Sequence, residues 1–243
     1  MKVIKLDAIP STNDFLKQLS RFQIVENFTT VCANNQTNGK GQMGAVWQSE
    51  IGKNLIMSVF VKDVLFKSAK IFELNIAVSM AIISVLKTLK IPNLSIKWPN
   101  DIMSDAKKIG GILIENTFKT DKSIESIVGI GLNVNQIDFL GLPKASSMGF
   151  IMNQNFEIES ILNDIVKQLE TNCMSILNGE FENLRNKYYN SLFKVNVPMV
   201  FETPNNLKFM GIIKGVNFDG LLQVELEDDT VQQFGIKEIS MLF

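Results

Sequence analysis

Histidine is absent from the 243-residue chain. That removes every His-based triad, His-ligated zinc site and imidazole general base, so any chemistry must run on Lys, Asp, Glu, backbone amides or a bound metal. The two cysteines, Cys32 and Cys173, are too few for a disulfide framework at this length, and reduced thiols of a cytosolic protein are the simpler reading. Neither sign of charge is in excess: 24 Lys and Arg against 25 Asp and Glu leave a formal net charge of -1. Such a balance argues against broad attraction to nucleic acid or anionic membranes. No stretch approaches the roughly 18 uninterrupted apolar residues of a membrane-spanning helix. Met1 to Asp7 mixes charges with its few apolar residues, which is not a signal-peptide pattern. A soluble, cytoplasmic protein is expected.

What is present is an ordinary globular composition, 46% hydrophobic and 20% charged, enough for one large domain or a large one plus a small one. Asp14 to Leu19 reads as a short helix with Ser11, Thr12 or Asn13 available as N-cap. Thr29 to Ala33 and Leu55 to Val61 read as strands, with a polar, glycine-bearing loop from Asn34 to Asn54 between them. Apolar residues at helical spacing predict core helices over 69–90 and from Ile158 to Ile176, and Gly179 caps or kinks the second before Phe181 to Tyr189. Ser95 to Trp98 is a short strand, and Ile109 to Glu115 pairs with Ser126 to Asn133 around the turn Lys119 to Lys122. After residue 190 come short strand-like runs, Val195 to Phe201, Leu207 to Val216, Leu221 to Leu226 and Val231 to Ile236, which predict a small β-barrel.

Four segments can carry chemistry. In Gly39-Lys40-Gly41-Gln42-Met43-Gly44-Ala45-Val46-Trp47, three glycines let the backbone approach an anion, although a plain flexible loop would read the same. Lys97-Trp98-Pro99-Asn100-Asp101 offers an ammonium, an amide and a carboxylate after a strand, or simply an Asx-type turn. Lys108-Ile109-Gly110-Gly111-Ile112-Leu113-Ile114-Glu115 weakens a strand with paired glycines, as close approach of a ligand would require. An ordinary solvated lysine is the alternative for Lys108. Gly129-Ile130-Gly131-Leu132-Asn133-Val134-Asn135 ends an apolar strand with glycines and amides, which a bulge and turn would also produce.

Together, in this order and at these separations, the four segments resemble the catalytic domain of the biotin protein ligases. The family pattern also has an S-T-N triplet, matched by Ser11-Thr12-Asn13, and a Gln before the glycine loop, matched by Gln36. The resemblance implies an α/β (α+β) fold, a mixed β-sheet with packed helices over residues 1–188 and a small SH3-like barrel over 189–243. It implies formation of biotinyl-5'-AMP from biotin and ATP, then transfer of biotin to a lysine of a biotin carboxyl carrier domain. On this likeness biotin would be met by Ser11, Thr12, Asn13, Gln36, Lys40, Gly41, Gln42, Lys108, Gly111 and Gly131. The nucleotide would be met by Lys40, Gln42, Trp47, Asn54, Lys97, Asn100 and Asn133. Lys108, Lys97 and Asp101 are the implied catalytic residues, and Asp101 a direct or indirect Mg²⁺ ligand. Asp101 is also the proton acceptor expected in the transfer step, since no histidine is available.

Two positions depart from the pattern. Many relatives carry Arg where this chain has Gln42, which keeps hydrogen bonding but loses the fixed charge. The family's last domain often ends with an Arg near the nucleotide, whereas Ser240-Met241-Leu242-Phe243 stands here. Because the S-T-N triplet begins at residue 11, an enzyme-only form without a DNA-binding domain is expected, a monomer or homodimer with no DNA or membrane partner. The nearest rival is a lipoate or octanoate ligase of the same fold, but its R-R-x-S-G-G-G signature is absent. A non-enzymatic binding module is the other, disfavoured by the acidic tail (Glu225, Glu227, Asp228, Asp229) and by the number of matching motifs.

Overall fold

A computed structural model describes residues 2–65 and 71–243. Strands β1 (Val3–Ile9), β2 (Thr30–Gln36), β3 (Leu55–Val61), β4 (Leu94–Lys97), β5 (Asp101–Ser104), β6 (Lys107–Phe118) and β7 (Ile124–Leu132) form one sheet in the order β1-β2-β3-β7-β6-β5-β4. β1 and β2 are parallel and the remaining neighbours antiparallel, which makes the mixed sheet expected from the sequence. The helices are α1 (Thr12–Phe22), α2 (Ile71–Thr88), α3 (Met148–Met152), α4 (Ile158–Leu177) and α5 (Glu182–Asn190). Residues 69 and 70 of the expected second helix lie outside the described residues.

Strand alternation assigns the two faces of this sheet different work. Leu55, Met57, Val59 and Val61 of β3, with Val128, Ile130 and Leu132 of β7, join the core formed by α2 and α4. Phe60 and Ile127 point the other way and join Leu16 of α1 in a smaller cluster. Helix α2 is 18 residues long with a mean hydropathy of 1.6, long and apolar enough to cross a membrane by length and composition, yet 67% of it is buried in the fold. Its apolar residues run all round, as a central core helix requires.

A second sheet contains β8 (Pro198–Glu202), β9 (Lys208–Val216), β10 (Leu222–Glu225), β11 (Val231–Phe234) and β12 (Ser240–Leu242), antiparallel in the order β11-β10-β9-β8-β12. Its first strand begins later than the sequence suggests, because the preceding segment lies along β4. Ile96 N donates to Ser191 O at 2.7 Å and Phe193 N to Ile96 O at 2.8 Å. The two sheets are tied firmly. Trp98 Nε1 donates to Gly220 O at 2.9 Å, Tyr189 Oη to Val216 O at 2.7 Å, and the Arg185 guanidinium lies 4.3 Å from the Phe218 ring centre. Gly220 is required there, since a Cβ would fall 2.6 Å from the Phe72 ring and φ is +88°.

Candidate active site

The cavity, about 280 Å³, opens on the α1 face of the sheet. Gly111 and Gly131 are direct cross-strand partners in β6 and β7, and both turn their missing side chains to this face. The result is a flat floor. The Trp47 ring lies on it: a Cβ on Gly131 would fall 2.4 Å from Trp47 Cε2, and one on Gly111 3.2 Å from Cζ3. These glycines therefore sit in regular strand pairing rather than in a bulge or turn. Gly129, two residues earlier on the same face, has another purpose. Its bare backbone admits the Asn13 side chain, whose Oδ1 would be 2.5 Å from an added Cβ.

Asn13 and Thr12 are delivered by the start of α1. Ser11 caps that helix, its Oγ accepting from Asp14 N at 3.3 Å. Thr12 donates to Gln36 Oε1 from both its backbone N (2.8 Å) and its Oγ1 (2.9 Å). Ser58 Oγ of β3 lies 2.6 Å from Asn13 Oδ1 and 2.8 Å from Thr12 Oγ1. Asn13 Nδ2 donates to Glu115 Oε2 at 2.9 Å, and Lys17 pairs with the other oxygen of Glu115 at 3.0 Å. With Ser11, Thr12, Asn13 and Ser58 all buried, this end of the cavity is a connected polar network held rigidly between α1, β2, β3 and β6.

Charge gathers at the other end. Lys108 Nζ meets Asp101 Oδ1 at 2.6 Å and lies 5.7 Å from the Trp47 ring centre. Asn100 borders the same cavity, donating from Nδ2 to Ile112 O at 2.7 Å. Burial holds the Lys97 ammonium below the ordinary lysine value; Asp101 opposes that shift, while Lys108 and Lys144 reinforce it. Lys144 is brought in because residues 144–146 run beside Lys108, with Lys108 N donating to Lys144 O at 2.7 Å. Its ammonium lies 4.1 Å from the centre of the Phe243 ring, which Lys97 approaches at 5.4 Å. Lys97, Lys108 and Lys144, with Asp101 paired to Lys108 and Lys144 Nζ also donating to Phe243 O at 2.6 Å, make a positive field suited to phosphates.

The expected loop is a closed hairpin over 39–47. Lys40 bridges Val46, Gly41 N donates to Ala45 O at 2.7 Å and Trp47 N to Gly39 O at 3.0 Å. Trp47 Nε1 is buried and meets no hydrogen-bond partner among the described residues.

Of the residues expected from the sequence, Ser11, Thr12, Asn13, Gln36, Lys40, Gly41, Gln42, Trp47, Asn100, Asp101, Lys108, Gly111 and Gly131 border the one cavity. Three do not border it. Asn54 accepts from Val134 N at 3.1 Å and donates to Gln136, so it pins the start of β3 to the chain after β7. Asn133 donates to Ser146 O at 3.0 Å and is buried. Lys97 borders the neighbouring groove between the two sheets. Lys40 is turned to Asp14 at 2.7 Å. Ser58, Lys144, Ile236 and Lys237 carry no recognisable motif, and only the folded chain brings them to the site; Glu115 stands at the end of a motif but its anchoring of α1 is not visible there.

Among the described residues no group of three or more His, Cys, Asp or Glu could hold a metal ion. Asp101 offers a single carboxylate, so Mg²⁺ fits here only with most of its oxygen ligands supplied by nucleotide phosphates and water.

A family model described as the biotin/lipoate A/B protein ligase family matches residues 6–134. The chain is 28% identical over 242 residues to the bifunctional ligase/repressor BirA of Bacillus spizizenii, covering 98% of this chain and 71% of that one. It is 25% identical over 202 residues to the biotin--[acetyl-CoA-carboxylase] ligase of Mycobacterium tuberculosis, covering 82% and 74%. In fold it is similar to the biotin protein ligase from Aquifex aeolicus in complex with biotin and ATP, with a TM-score of 0.80 at 22% identity over 99% of this chain and 98% of that one.

Proposed function

The chain belongs to the biotin/lipoate A/B protein ligase family, and from that premise we propose that it is a biotin protein ligase. It joins biotin to ATP as biotinyl-5'-AMP and then transfers biotin to a lysine of a biotin carboxyl carrier domain. The observation that carries this reading is the graded cavity: a flat glycine floor, a network of hydroxyls and amides at one end and Lys108 with Asp101 at the other. A fused ring bearing a cyclic urea and a carboxylate tail needs those three surroundings in that order.

In the first step a carboxylate oxygen attacks the α-phosphorus and pyrophosphate leaves, so two anions must be brought together. Lys108 would exchange Asp101 for the biotin carboxylate, while Lys97 and Lys144 offset the phosphates. Mg²⁺, arriving with ATP and touching Asp101, would neutralise further charge. Trp47 would lie over the bound ligand and keep water from the mixed anhydride. In the second step the carrier lysine attacks the acyl carbon, AMP leaves, and the amine must shed a proton. Asp101, released from Lys108, is the acceptor in reach.

Biotin-dependent exchange of labelled pyrophosphate into ATP tests the reading. Exchange supported by lipoate or octanoate and not by biotin would place the chain with the other branch of the family.

A further inference from the structure

Ile236 and Lys237 lie in the turn between β11 and β12 of the second sheet, yet both border the cavity beneath the hairpin flap. Lys237 Nζ donates to the carbonyl oxygen of Met43 at 2.9 Å, a bond between residues 194 apart in sequence. It spans the cavity mouth from a turn of the second sheet to the tip of the hairpin flap. Both ends sit in left-handed backbone that side chains rarely adopt, Met43 at φ +54° and Lys237 at φ +67°. Such conformations persist where their surroundings hold them.

Lys40 is engaged by Asp14 and Lys108 by Asp101, whereas Lys237 meets a carbonyl. Gln42, next to Met43, is neutral. We propose that Lys237 is a positioning residue that latches the flap, and that the second sheet thereby supplies a cation at the flap tip, where Gln42 is neutral and Lys40 is already paired with Asp14. Resting on the adenylate-forming reading, once the ligand has displaced the Trp47 ring from the glycine floor, its ammonium holds the flap tip over the acyl-adenylate and lowers the escape of that anion.

Three variants test it: Lys237→Met removes the charge, Lys237→Gly removes it while relaxing the left-handed backbone, and Lys237→Arg restores it. In the ligand-free protein, hydrogen exchange of the Gly41 and Trp47 amides reads the latch without any reaction. In the loaded protein, rapid filtration reads the release of biotinyl-adenylate. The Met and Gly variants should open the flap and release the adenylate about fivefold faster, the upper end for loss of one charge-assisted bond at an exposed site. Arg should return both rates to within about twofold of wild type. The Gly variant should melt no lower than wild type, which separates lost latching from misfolding. Unchanged flap exchange in both the Met and Gly variants overturns the latch. Faster flap exchange with unchanged adenylate release overturns its hold on the anion. If the wild-type protein forms no adenylate from biotin, the functional reading fails, and flap exchange still decides the latch.

Discussion

Replacing Gly131 by Ala places one methyl group on the floor of the cavity, and its consequence can be worked from the structure. The new Cβ would stand 2.4, 2.6 and 2.9 Å from three atoms of the Trp47 ring. Carbon atoms pack best near 3.5–4.0 Å, so the ring must lift by about 1 Å or more. Lifting it surrenders its contact with Gly111, and the same methyl intrudes on whatever planar ligand takes the ring's place. Overpacking of this kind costs about 1–3 kcal/mol, or roughly 5- to 150-fold in biotin affinity. Global stability should not follow, because Gly131 pairs in regular strand and Ala in a strand is favoured over Gly by about 0.5–1 kcal/mol. Titration calorimetry with biotin, thermal melting and Trp47 emission would be measured on Gly131→Ala and on the double variant with Trp47→Ala. Weaker biotin binding in both backgrounds means that the slot holds the ligand itself. An effect only where Trp47 is present means that the glycine serves the tryptophan alone. Biotin affinity within twofold of wild type together with unchanged Trp47 emission would refute the geometry.

Lys108→Ala should cut pyrophosphate exchange by two orders of magnitude or more, while a half-exposed ion pair of this kind contributes only about 0–1 kcal/mol to the melting behaviour; exchange within about threefold of wild type would dismiss the assigned role. Asp101→Asn should retain more exchange than carrier biotinylation, measured separately from preformed adenylate; equal retention of both half-reactions removes Asp101 as the proton acceptor. Lys97 is needed protonated and its value is lowered by burial, so kcat/KM for ATP should fall on the alkaline side earlier than a free lysine allows. Lys97→Arg should extend the plateau, and because the folded value lies below the unfolded one, the wild-type fold should gain stability as pH rises between the two. Gln42→Arg should slow adenylate release and reduce labelling of bystander lysines in albumin; unchanged or faster release would move Gln42 out of the place assigned to it.

Much of this architecture is legible in the sequence, for identifiable reasons. The core helices announce themselves through apolar spacing, and α4 follows it from Ile158 to Leu177. Strand β1 is silent because it is an edge strand whose outward residues, among them Lys5 and Asp7, interrupt the apolar pattern. Strand β5 hides inside Asp101 to Ser104, where Pro-Asn-Asp reads as a turn. Motif letters locate Lys108, Gly111 and Gly131 but cannot reveal that the two glycines face each other across a strand pair, since register is a property of the folded sheet. Asn54 and Asn133 are the reverse case: they sit in or near motifs, and the structure shows their amides engaged by backbone and by Gln136 rather than facing the cavity. Lys144 and Lys237 arrive through tertiary contacts alone, so no local pattern marks them.

The bond from Trp98 to Gly220 governs where this chain can be divided. Composition changes near residue 190, which invites a cut between the two sheets, but that segment is stitched to β4 and the sheets share buried residues. The turn at Lys119 to Lys122 is a better seam: it is a short, exposed connection between β6 and β7. Halves separated there would meet again along nine residue pairs, from Gly110–Leu132 to Phe118–Ile124. One half carries Gly111 and the other Gly131, so neither owns a ligand slot by itself. Fused to two different proteins, such halves would regain biotin binding only where those proteins come together.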